Sequence, residues 1–251
     1  MIRTTFYQIK GAQKDHMKNR FYGDVNDYIK YGILDILADH YNSLGINWYL
    51  TDDQHGKQSD GNKTEYFDKE DKWKSFNTQI FSRLKERVKK QQRSITYCGQ
   101  DNIIDFKFEF CEQLPDNADP NDYEALRNEW HTRAKEHLKK CDLVFFDPDM
   151  GVKDQLSKDV VKNSEYCLVK EIVDYNWCDW LVVVFPRHAK RYPTLKTNPI
   201  VISAEQQAKK VMVFLYGGMA LLYISNTIQA RVLSRVFEEW NTTIDTKILV
   251  P

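Results

Sequence analysis

The chain has 251 residues, 42% hydrophobic and 29% charged, which suffices for one domain with a substantial core. Lys and Arg together number 36, and so do Asp and Glu; this excludes a strong global field for nucleic acid. No apolar run is long enough to cross a bilayer, and the N-terminus lacks the apolar stretch and cleavage site of a secretory signal. Cys98, Cys111, Cys141, Cys167 and Cys178 form no Cys-x-x-Cys pair. A cytoplasmic protein with reduced thiols and no membrane partner is therefore expected.

Asp27 to His40 carries apolar residues at helical spacing, with Asp24 or Asn26 as N-cap. Ile46 to Leu50 reads as a buried strand that runs into the polar loop Thr51-Asp-Asp53-Gln-His55-Gly56. Trp73 to Val88 is an amphipathic helix, Ser94 to Tyr97 a short strand, and Tyr123 to Lys140 a long helix. Asp142 to Asp147 is apolar on both faces and ends on a carboxylate, as a central parallel strand does. A helix from about Val160 to Tyr175 and a strand from Trp180 to Phe185 follow. Val211 to Tyr216 and Met219 to Ile224 flank Gly217-Gly218, a hairpin signal; Asn226 to Trp240 is a closing helix and Lys247 to Val250 a last strand. The expected fold is α/β, Rossmann-like: a mostly parallel sheet with helices on both faces, a C-terminal antiparallel hairpin and a small helical insertion.

In open α/β sheets ligands bind beyond the carboxyl ends of the strands. Two strand ends here present acids: Asp52-Asp53, and Asp147-Pro148-Asp149. Pro148 keeps the backbone extended at the lip of the sheet and removes a donor, so nearby carbonyls can face a ligand. Asp147, launched from an apolar strand and not from a loop, is read as ligand-facing over a simple turn. The stretch Gly23-Asp-Val-Asn-Asp27-Tyr-Ile-Lys30-Tyr31 packs acids and a lysine into a helix entry, where capping is the default role. Two segments are basic: Arg83 to Arg93, read as a solvated helix face, and Arg187-His188-Ala-Lys-Arg191, which follows the strand after the central one.

The segment from Gly23 to Leu34 resembles the Gly-Asn-His-Ala-Asp-Val-Leu-Lys-His stretch of the J-type 23S rRNA adenine-N6 methyltransferases, with Gly23, Asp27 and Lys30 in step. Further likenesses follow in the same order. Ile46 to Gly56 resembles that family's strand and Asp-Thr-His-Ala-Gly loop, Leu143 to Asp149 its Asp-Pro-Pro-Tyr strand, Gly218 to Ile224 its Ser-Gly-Met strand, and Ile248 to Pro251 its terminal strand. The resemblance implies a single S-adenosylmethionine-dependent methyltransferase-like domain over residues 1–251, with a helical insertion at about 62–93. It also implies that Lys30 helps to hold the cofactor and that Asp147 accepts a hydrogen bond from an exocyclic amine. Asp27, Asp53 and His55, close by in the helix entry and the loop after the first strand, are further cofactor candidates. Asp149, Arg187, His188 and Arg191 would face the nucleic-acid or nucleotide substrate, the arginines on its phosphates.

The sequence departs from that pattern at two places. One glycine, Gly56, stands where a glycine-rich turn is usual, and Pro148-Asp149-Met150 replaces Pro-Pro-Tyr, without the aromatic. Two alternatives therefore stand beside the methyltransferase. Asp52, Asp53, Asp147 and Asp149 would suit Mg²⁺ or Mn²⁺ in a metal-dependent phosphodiesterase or nuclease. A non-catalytic nucleic-acid-binding protein with the same shell is the other.

Overall fold

A computed structural model describes residues 17–52, 61–185, 191–227 and 245–250. Helices α1 (Met17–Phe21) and α2 (Val25–Ala38) lead into strand β1 (Leu44–Asn47). A 3-10 turn at Glu65–Asp68 and helices α3 (Glu70–Trp73), α4 (Thr78–Lys89) and α5 (Tyr97–Gln100) precede β2 (Phe108–Phe110). The chain continues through α6 (Tyr123–Leu138), β3 (Leu143–Phe146), β4 (Gly151–Lys153), α7 (Val160–Ser164), β5 (Tyr166–Leu168), α8 (Val169–Val173) and β6 (Asp179–Val184). Helices α9 (Arg191–Lys196) and α10 (Pro199–Gln206) and strands β7 (Lys210–Tyr216), β8 (Met219–Ser225) and β9 (Asp245–Val250) complete it.

The main sheet has the order β2-β1-β3-β6-β8-β7-β9. Pairings from β2 to β6 are parallel; β8 then runs antiparallel to both β6 and β7, and β9 antiparallel to β7. This is the expected Rossmann-like α/β sheet with its antiparallel hairpin, and the helical insertion between β1 and β2 is present over its described part. Both faces are covered because the apolar strands alternate: Leu143 and Phe145 join the core under α2 and α4, while Val144 and Phe146 join the core under α6, α8 and α10.

Several elements differ from the sequence reading. Ser94 to Tyr97 forms turns that enter α5, and the second strand is Phe108–Phe110. The expected helix from Val160 to Tyr175 is broken by β5, because Tyr166–Leu168 pairs in parallel with β4 as a separate two-stranded sheet. The helix from Trp73 breaks before Asn77, whose side chain caps α4 by accepting from the Ile80 amide at 3.0 Å. Of the closing helix from Asn226, residues 228–240 lie outside the described residues. The five cysteines are free, as expected. Among the described residues no helix is long and apolar enough to cross a membrane.

Candidate functional site

Strand order fixes where a site can lie. From β1 the chain moves out to β2 at one edge, then returns to β3 on the other side of β1. Connections therefore diverge between β1 and β3, and the crevice beyond their carboxyl ends is the topological switch point. The two strands run in register, with Asn47 opposite Phe146, and the Asp147 amide donates to the Asn47 carbonyl at 3.1 Å. Asp147 is thus launched from the centre of the sheet at its switch point.

Helix α2 supplies the partner. Asp24 caps it, accepting from the amides of Asn26 (2.8 Å) and Asp27 (3.0 Å). One turn later Lys30, 6% exposed, places its ammonium 2.6 Å from Asp27 Oδ1, and 3.1 and 3.3 Å from the two oxygens of Asp147, itself 2% exposed. The hydroxyl of Tyr31 donates to the other Asp27 oxygen at 3.2 Å. Residues given separate tasks on sequence, Lys30 and Asp147, form one buried ion pair.

Asp24, Asp27 and Asp147 are all buried, and the Lys30 ammonium bridges Asp27 and Asp147. Burial alone would lower the Lys30 pKa, but the charges of Asp147 and Asp27 more than reverse this and keep it protonated. Burial and then the charge of Asp27 push the Asp24 carboxyl up to about 6, against the opposing pull of the Asp27 amide and Lys30.

The lips of the crevice are also fixed. Thr51 Oγ1 donates to Asp149 Oδ2 at 2.7 Å, joining the chain after β1 to the chain after β3. The Asp52 amide donates to buried Asp116 at 2.7 Å, and Gln113 Nε2 donates to the same carboxylate at 3.1 Å. Gly151 adopts φ +100°, and a Cβ there would lie 3.2 Å from the Val184 Cα, so the glycine lets this loop fold flat against β6.

Other sequence candidates fall as follows. Asp53, His55, Arg187 and His188 lie outside the described residues, and Arg191 is the first residue of α9. Among the described residues no three His, Cys, Asp or Glu side chains form a metal-binding group, so Asp52, Asp147 and Asp149 do not make one between them. The basic segment from Arg83 is tied into the fold, not merely solvated. Arg87 clamps Asp101 with bonds of 2.7 and 2.6 Å, and Arg93 donates to the carbonyls of Tyr22 (2.7 Å) and Gly61 (2.6 Å). A groove of about 600 Å³ lined by Phe108, Arg133 and His137 follows the end of α6, at the amino ends of the strands and away from the crevice.

Sequence reasoning missed Tyr31, Thr51 and Asp116. Tyr31 stands four residues after Asp27, a spacing that puts both on one helix face and could have revealed it. No protein-family model matches the chain, and no curated protein matches it in sequence.

Proposed function

We propose that this protein is a nucleic-acid or nucleotide base-modifying enzyme that uses S-adenosylmethionine and acts on an exocyclic amine at the β1/β3 crevice. The observation that carries this reading is the Lys30–Asp147 ion pair at the switch point of the sheet. The negative charge that Asp24, Asp27 and Asp147 bring to this crevice also fits a ligand bearing a sulfonium and an amino group.

S-adenosylmethionine, when bound, supplies a methyl group activated by the neighbouring sulfonium. Asp147 accepts a hydrogen bond from the target amine and aims the nitrogen lone pair, a gain in orientation that Lys30 secures by fixing the carboxylate. Asp27 sets Lys30, and Asp24 and Asp27 bring negative charge to the cofactor side. Asp53 and His55 belong to the cofactor side of the same proposal. Asp149, Arg187, His188 and Arg191 belong to the substrate side; these assignments rest on their positions in the sequence.

The test is transfer of labelled methyl from S-adenosylmethionine to RNA, DNA and free nucleotides in parallel, with wild type and Asp147→Asn. Label on the exocyclic amine of one class, lost in Asp147→Asn, is expected. Transfer unaffected by Asp147→Asn, or none to any class, contradicts the reading.

A further inference from the structure

On the opposite face of the sheet from Lys30 lies a second buried ion pair. Arg127 of α6, 1% exposed, donates from Nε to Glu171 Oε1 at 2.6 Å and from Nη2 to Oε2 at 2.9 Å. Its remaining donors are all used: Nη1 reaches the Tyr123 hydroxyl (2.6 Å) and the Asn163 carbonyl (2.8 Å), and Nη2 the Tyr166 carbonyl (2.6 Å). Burial pushes the Glu171 carboxyl up, but the charge and hydrogen bonds of Arg127 outweigh it and hold the group below its usual range. A buried ion pair seldom improves stability over apolar packing, so so fully satisfied a network invites the question of what it fixes.

Both lips of the crevice are attached to it. Asn163 and Tyr166, held by their carbonyls, belong to the α7–β5 segment that pairs with β4, the strand immediately after Asp147-Pro-Asp-Met. Asn163 also accepts from Lys153 (2.7 Å) and the Ser157 amide (2.8 Å) through its side chain. The other lip is attached through Tyr49, just past β1. Its hydroxyl donates to Glu171 Oε2 at 3.1 Å, and its ring packs edge-on against Trp130 with centroids 5.0 Å apart.

Tyr49 has φ +49°, the left-handed region that residues with a side chain rarely enter. Such a conformation persists only where its surroundings enforce it. Directly after it the chain changes course: Leu50 bridges to Gln113, Thr51 reaches Asp149, and the Asp52 amide reaches Asp116.

We infer that Tyr49 is a positioning residue, held in its left-handed conformation by the Arg127–Glu171 pair, and that it sends the β1 exit across to the β3 exit so that the crevice has a fixed mouth. This holds whatever reaction the crevice performs, so its test needs no ligand.

Tyr49→Phe removes only the hydroxyl and leaves Glu171 with Arg127 and the Leu168 amide, so the fold survives. Amide hydrogen exchange followed by NMR reads the outcome. Exchange at the Asp52 and Leu114 amides, which bond to Asp116 and to the Leu50 carbonyl, should quicken about tenfold, while β3 and β6 amides stay within about twofold of wild type. Glu171→Gln should loosen the same amides, together with those of β4 and β5. Unchanged exchange at Asp52 and Leu114 in Tyr49→Phe would overturn the inference. So would a parallel rise across the whole sheet, because that would make the hydroxyl a source of global stability alone.

Discussion

The ammonium of Lys30 lies 3.1 Å from Oδ1 of Asp147, joining the second turn of α2 to the end of β3 across 117 residues of sequence. The same ammonium is 2.6 Å from Asp27 on its own helix. All three groups are nearly sealed from solvent. Lys30→Met takes a shared cation away from two buried carboxylates and should lower stability by about 3–5 kcal/mol. Adding Asp147→Leu should recover part of that loss. Urea unfolding of the single and double variants measures both.

Asp147→Asn should behave differently. The amide keeps the size of the carboxylate and Lys30 keeps Asp27, so stability should fall by about 1–3 kcal/mol, less than in Lys30→Met. Under the proposed function, methyl transfer should fall about 10²–10⁴-fold, the usual contribution of a positioned proton acceptor. Comparing the unfolding midpoint with the transfer rate separates the two effects.

Asp24 makes stability depend on pH in a stated direction. Its carboxyl lies at about 6 in the folded chain, above the ordinary 3.8, because of burial and the Asp27 charge. Protonation is therefore favoured by folding, and this stabilisation is present at low pH and lost as pH rises through about 6. Asparagine caps helices as well as aspartate does and carries no charge. Asp24→Asn should exceed wild type in stability at about pH 7.5 by up to about 2 kcal/mol, with the gap closing towards pH 4. Urea midpoints of both proteins across that range give the answer.

Gly151 and Gly217 separate steric clash from backbone strain. Both have positive φ, +100° and +52°, but a Cβ at Gly151 meets the Val184 backbone, whereas at Gly217 nothing lies within 4 Å. Gly217→Ala should cost about 1 kcal/mol, and Gly151→Ala about 2–3 kcal/mol. Thermal unfolding of the two variants under one condition is sufficient.

The long apolar elements were legible in the sequence because their period alone places them. Asp142 to Asp147, Trp180 to Phe185 and the Gly217-Gly218 hairpin all form where the pattern puts them, within a residue or two. Short elements were not. Strand β2 sits in Phe106-Lys-Phe-Glu-Phe110, an alternation legible in the sequence, whereas Ser94 to Tyr97 reads as a strand but forms turns. Strand β5 exists only because β4 reaches it, a tertiary effect that no local pattern reports. The site divides in the same way. Lys30 and Asp147 stood out singly, but their contact depends on how α2 lies across the sheet. Arg127 and Glu171 gave no sign at all, since charged residues on a helical pattern read as surface.

Titration calorimetry with S-adenosylmethionine on wild type and Asp27→Asn tests the proposed cofactor site most directly. The variant keeps the Lys30–Asp147 pair and removes one charge from the acidic cluster. The wild type should bind at micromolar concentration, and Asp27→Asn about tenfold more weakly through loss of one charge interaction. No heat of binding at millimolar cofactor, or equal affinity in both proteins, would contradict it.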